Sequence, residues 1–205
     1  MKHIVSTLSV ALLALNVSAQ DVQPEQQKKR EKVRLDRGPA MYITTSTGIN
    51  NNTGVVGFNF ELPVSPHVTI DGGPGTGTWN HKLYIGAKYY LRPAQRGFAF
   101  GTGITHATGT RGNSYWATTV YGDRRLIRFN KNPQTNAFFA AYKYWSLGKQ
   151  YNRFYAQLGW SLPLSAGDKI TQLSGPATTQ DSKNSIASAA PGGPILAVGV
   201  SFGVH

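Results

Sequence analysis

The stretch LAVGVSFGVH, residues 196–205, alternates large and small side chains without a break. Successive side chains of a strand point to opposite faces. Leu196, Val198, Val200, Phe202 and Val204 therefore share one face, and Ala197, Gly199, Ser201 and Gly203 the other. Lys, Glu and Thr are the usual residues of a solvent-facing strand surface; here that surface is nearly bare. An apolar medium on one side and a confined polar space on the other would satisfy the pattern.

The same period recurs along the chain. In VVGFNFEL (55–62), Val56, Phe58, Phe60 and Leu62 oppose Val55, Gly57, Asn59 and Glu61. In KLYIGAKYYLR (82–92), Leu83, Ile85, Ala87, Tyr89 and Leu91 oppose Lys82, Tyr84, Gly86, Lys88, Tyr90 and Arg92. GFAFGTGIT (97–105) and RFYAQLGWSL (153–162) repeat the scheme, and weaker strands are predicted at 40–48, 67–73 and 136–147. With the closing strand this makes eight, and no stretch of 39–205 carries a strong helical period.

The connections alternate in kind. PVSPH (63–67), RPAQR (92–96) and GKQYN (148–152) are tight and polar, whereas INNNTG (49–54), PGTGTWN (74–80), 107–135 and 163–194 lie between them as longer loops. Tight turns on one rim, longer loops on the other and an even strand number are the plan of an outer-membrane barrel. The strong strands approach the ~10 residues that cross a bilayer at a tilt. Closure is obligatory in lipid, where an open sheet edge leaves N–H and C=O groups unpaired. The expected fold is thus all-β: a closed antiparallel up-and-down transmembrane barrel of eight strands, or of ten if 115–130 adds a pair. The bare face of 196–205 would point into a lumen only wide enough for side chains.

The ends and composition set the compartment. Met1-Lys2-His3, an apolar run at 4–17 and the small residues Val17-Ser18-Ala19 form a secretory signal peptide, 1–19. Residues 20–38 are a polar, basic segment expected to be a flexible periplasmic leader, and 39–205 the barrel domain. The formal net charge of +12 points to nucleic acid or anionic lipid as a partner, and export favours lipid over nucleic acid. Cys is absent, which excludes disulfides and thiolate metal sites, and His67, His81, His106 and His205 lack metal-ligand spacing. No cofactor is expected.

GAKYYLRP (86–93), GFAFGTGITHATG (97–109), YKYWSLGKQYNRFYAQLGWSLPLS (142–165) and VGVSFGVH (198–205) resemble the small outer-membrane β-barrel family of Gram-negative bacteria, the eight-stranded OmpX- and OmpA-like type. The resemblance covers about 40–205 and implies architecture more than activity. It also implies recognition by the barrel-assembly machinery. Family members commonly end on an aromatic residue; here Phe202 stands three residues before His205.

Two groups of side chains carry the functional expectations. By alternation Glu61, Lys88, Arg92, Lys143 and Arg153 are expected to point into the lumen near the tight-turn rim. A carboxylate among cations in a narrow, low-dielectric space should be ion-paired, forming a plug; the alternative is an anion-conducting constriction. In the loop 107–135, Arg111, Arg124, Arg125, Arg128 and Lys131 are interleaved with Tyr115, Trp116, Tyr121 and Phe129. At a membrane surface these cations are expected to meet lipopolysaccharide phosphates.

Other chemistries fare less well. In THATG (105–109), His106 and Thr108 resemble the His-x-Ser of lipid A deacylases, but Thr replaces Ser and the one Glu beyond the leader, Glu61, lies inward. A nucleophile relay needs these groups in contact. GGPGTG (72–77) and GTG (101–103) are followed by no helix, as a phosphate loop would require. A soluble lipocalin-like barrel would have an apolar interior, the reverse of this pattern. The loop 165–193, rich in Ser, Thr, Ala and Gly, is expected to be a mobile surface segment. The chain is read as a non-enzymatic outer-membrane protein with a plugged lumen and exposed basic loops.

Overall fold

The computed structural model describes residues 38–93, 96–148 and 151–204. The signal peptide (1–19), the leader up to residue 37 and His205 lie outside the described residues. Eight strands form one closed barrel: β1 (Met41–Ile49), β2 (Val56–Pro63), β3 (Val68–Gly77), β4 (Asn80–Arg92), β5 (Arg96–Ala107), β8 (Gln134–Ser146), β9 (Arg153–Pro163) and β11 (Gly193–Val204). Each pairs antiparallel with its sequence neighbour among these eight, and β1 closes the wall against β11 from Met41↔Val204 to Ile49↔Leu196. The opening stretch is therefore the closing staple.

Alternation sorts the two faces. Phe58, Phe60, Ile85, Phe100, Leu158 and Leu196 stand outward and exposed, whereas Asn59, Glu61, Lys88, Gln157 and Ser201 are buried inside. Along β4, Leu83 to Leu91 rises roughly 20 Å at ~3.3 Å per residue and a ~40° tilt. The inward side is filled mainly by tyrosines: Tyr42, Tyr90, Tyr142, Tyr144 and Tyr155 are all buried. Gly199 makes room, since a Cβ there would lie 2.5 Å from the Tyr155 ring.

At the tight-turn rim β2 is followed closely by β3, β4 by β5 and β8 by β9. The opposite rim departs from expectation in three places. β3 runs on through Pro74-Gly75-Thr76-Gly77, leaving only Thr78-Trp79 as the turn. The connection at 50–55 folds inward instead of lying on the surface: Asn51, Asn52 and Thr53 are buried. Gly75 permits this, because a Cβ there would meet the Thr53 carbonyl oxygen at 1.6 Å. Finally, the long loops are folded. β6 (Thr110–Thr118), β7 (Arg124–Lys131) and β10 (Ile170–Ser174) form a separate three-stranded sheet in the order β10-β7-β6, and α1 (Gln180–Ala187) packs against it. The ten-stranded alternative is thereby replaced by eight wall strands and a cap sheet.

The cap has its own small core: Ala117, Ile127 and Phe129 are buried, with Tyr115, Ile170 and Ile186 packed on them. The Thr179 side chain caps α1 by accepting from the Ser182 amide, and Asp181 sits in its first turn, where a negative charge favours the helix dipole. Below the cap, Trp79 is buried with Ala107 and Ala190, and its indole N–H donates to the Asn132 carbonyl at 2.8 Å.

Candidate functional site

Three of the five expected lumen charges come together. Glu61 and Arg153 pair at 2.7 Å, and Lys88 Nζ lies 2.8 Å from Glu61 and 2.8 Å from Asp71. The Tyr90 hydroxyl donates to Glu61 at 2.6 Å, and the Tyr84 hydroxyl to Asp71 at 2.7 Å. The Arg153 guanidinium also lies over the Tyr42 ring at 3.6 Å and the Tyr144 ring at 4.3 Å. Among the described residues two cations thus face two carboxylates, and the charges of these four cancel. A buried charge is tolerable on these terms, each partner supplying what water would have supplied.

The other two expected members are elsewhere. Arg92 is exposed at the tight-turn rim, because a bulge between Tyr90 and Arg92 breaks the alternation there. Lys143 is on the outer wall: in β8 the inward parity belongs to Asn136, Phe138, Ala140, Tyr142 and Tyr144. Its ammonium sits 4.1 Å from the centre of the Phe98 ring. Asp71 was missed because β3 reads as a weak strand, GGPG obscuring its period. The parity of Thr69 and Asp71 against outward Ile70 was the available signal.

A second inward group lies at the other end of the lumen. Lys82 Nζ donates to the Asn51 carbonyl at 2.7 Å. The Asn51 amide donates to Ser46 and Thr53, and the Asn52 amide to the Tyr142 hydroxyl at 3.2 Å. The polar hook of Asn51, Asn52 and Thr53 is thus tied to the wall at several points. Near its base a cavity of about 40 Å³, lined in part by Asn50, Lys82 and Trp79, has room for a few waters.

The basic outer loop divides by role. Lys131 is built into the cap base, donating to the Thr78 carbonyl at 2.8 Å and lying over the Trp79 and Tyr115 rings. Arg128 donates to the Gly112 carbonyl at 3.4 Å, and Arg125 pairs with Asp123. Hydrogen bonds from Thr119 and Arg125 hold the exposed Asp123 carboxyl below its ordinary range. Arg111 and Arg124 are exposed. Cross-strand pairs Ser114↔Arg128, Trp116↔Leu126 and Thr118↔Arg124 put Trp116, Leu126, Arg124 and Arg128 on one face of the hairpin, and all four are exposed.

His106 Nδ1 lies 2.9 Å from the Thr135 hydroxyl on the exposed side of the wall, while Glu61 is inside the barrel. No cluster of metal-ligating side chains occurs among the described residues.

No family model and no curated protein matches the chain. Among solved structures, the N-terminal β-barrel domain of Pseudomonas aeruginosa OprF aligns with a TM-score of 0.43 at 12% identity, covering 81% of this chain and 98% of that one. Acinetobacter baumannii CarO aligns with a TM-score of 0.43 at 15% identity, covering 80% of this chain and 97% of that one.

Proposed function

We propose that the chain is an integral outer-membrane barrel, non-enzymatic and without an open pore, whose folded cap presents cations and aromatics to lipopolysaccharide. The observation that carries the reading is the inside-out distribution of polarity in a closed barrel. Large apolar side chains cover the outer wall while the charges are buried within. In water such a wall is a large exposed apolar surface, which monomeric soluble proteins rarely tolerate; in a bilayer it is the lipid contact. The outer rise of roughly 20 Å along β4 is close to the ~25 Å apolar band of outer-membrane barrels.

Export by the signal peptide at 1–19 and insertion by the barrel-assembly machinery belong to this reading. So does the orientation, with the tight turns in the periplasm and the cap outside. The neutral charge layer and the inward hook support a sealed lumen. The exposed hairpin face bearing Arg124, Arg128, Trp116 and Leu126 supports contact with phosphorylated lipid. Nucleic acid has no place in it.

The four tryptophans supply the test. Trp145 and Trp160 stand on the outer wall, Trp79 is buried and Trp116 is on the cap. In vesicles of lipid brominated along the acyl chain, single-Trp variants keeping Trp145 or Trp160 should be strongly quenched, and those keeping Trp79 or Trp116 weakly. Equal quenching of all four would contradict the membrane reading. In planar bilayers no steady conductance is expected; stable anion-selective steps would contradict the seal.

A further inference from the structure

Arg92 and Lys143, displaced from the lumen, meet on the outside. Together with Leu91, Gly97 and Phe98 they line one open groove of about 260 Å³ on the barrel wall at the tight-turn rim. Gly97, at φ +79°, puts no side chain into it, and the Arg92 stem packs over this glycine. Leu91 and Phe98 are about half exposed and continue the apolar outer wall. The groove thus combines two cations with an apolar side, on a surface facing lipid.

The depth of Lys143 makes the pair informative. It lies three residues before the end of β8 at Ser146, or roughly 8 Å inside the rim at the usual rise and tilt. Charged side chains on the lipid face destabilise a barrel in a depth-dependent way, and a Lys near the interface snorkels to the headgroups. The ammonium lies over the Phe98 ring. No carboxylate among the described residues pairs with it or with Arg92; Glu61 and Asp71 are engaged in the lumen and Asp123 in the cap. Among the described residues the pair thus has no counter-anion, and the anionic headgroups of the surrounding leaflet can supply one.

We propose that the Arg92–Lys143 groove binds the phosphate of one anionic phospholipid in the leaflet at the tight-turn rim, with an acyl chain along Leu91 and Phe98. The proposal rests on the membrane reading and adds a defined lipid site to it. It makes the protein two-sided: cap cations meet lipopolysaccharide outside, and the rim pair meets phospholipid on the periplasmic side.

The test is native mass spectrometry of the full chain extracted in mild detergent and titrated with phosphatidylglycerol or phosphatidylcholine. The wild type should retain one phosphatidylglycerol in preference to phosphatidylcholine. Arg92→Gln or Lys143→Gln should each weaken this about fivefold, and the double variant about thirtyfold, as expected for losing one or two cations near a lipid surface. Lys143→Arg should keep it. Equal retention of the two lipids by the wild type, or undiminished phosphatidylglycerol binding by the double variant, would overturn the site. Displacement by soluble glycerol phosphate at matched concentration would also overturn it, marking a simple anion site. A shift in gel mobility on boiling, measured on the same samples, separates the two readings: an intact shift without lipid selectivity removes only the groove, whereas a wild type without the shift removes the membrane barrel.

Discussion

Glu61→Gln is the sharpest perturbation of the buried charge layer. The substitution preserves side-chain shape but removes the charge that joins Arg153 at 2.7 Å and Lys88 at 2.8 Å. Arg153 then loses its ion pair with Glu61, and Lys88 keeps its pair with Asp71. The layer gains one unit of positive charge in a space lined by tyrosines. Removing one partner of a buried ion pair costs about 3–5 kcal/mol, most of it from the charge left behind. With a urea dependence of about 2–3 kcal/mol per molar, the unfolding midpoint in lipid vesicles should fall by about 1–2 M. The assay is the fraction of heat-shifted folded band after equilibration in urea. Asp71→Asn is the internal comparison: Lys88 retains Glu61, so the loss should be smaller, about 1–3 kcal/mol. A Glu61→Gln midpoint within about 0.2 M of wild type, a shift worth only about half a kcal/mol, would refute the claim that the charges are interlocked.

Other expectations follow from named contacts. Gly75→Ala should cost about 1–3 kcal/mol by pushing the Thr53 carbonyl and the inward hook away, read as a lower temperature for loss of the folded band. Trp79→Ala should cost about 3–5 kcal/mol and, by removing the floor under Asn132 and Lys131, should speed proteolysis within 108–133 while the wall stays protected. Arg124→Ala and Arg128→Ala should each weaken binding to lipopolysaccharide vesicles by up to about tenfold in low salt, whereas Lys131→Ala should chiefly loosen the cap; equal effects of all three on binding would contradict the division of roles. His106→Ala should leave the lipid A mass of expressing cells unchanged, and a one-acyl difference from wild type would restore the hydrolase reading.

The barrel was legible in the sequence because its signal is local. The strong wall strands alternate over most of their length, and Leu196 to Val204 or Leu83 to Leu91 can be assigned to a face without knowing their partners. Where the period was broken, legibility failed. The bulge after Tyr90 carried Arg92 out of the lumen register, and the Gly-Pro run of β3 hid both its length and Asp71. Lys143 was misplaced because Phe138, Phe139, Tyr142, Tyr144 and Trp145 put aromatics on both faces of β8 and left its parity ambiguous. The inward hook and the cap are tertiary. Asn51 to Thr53 have the composition of a surface turn and are buried by the approach that Gly75 allows. Likewise α1 has a cap at Thr179 but no apolar stripe, and is held by packing against the cap sheet.

The central claim is that this closed barrel resides in the outer membrane with its apolar wall in lipid. Membrane fractionation followed by electrophoresis with and without boiling tests it most directly. Recovery in the outer-membrane fraction, with a compact band that shifts on heating, is the expected result. Recovery in the soluble periplasmic fraction with no shift would contradict the claim.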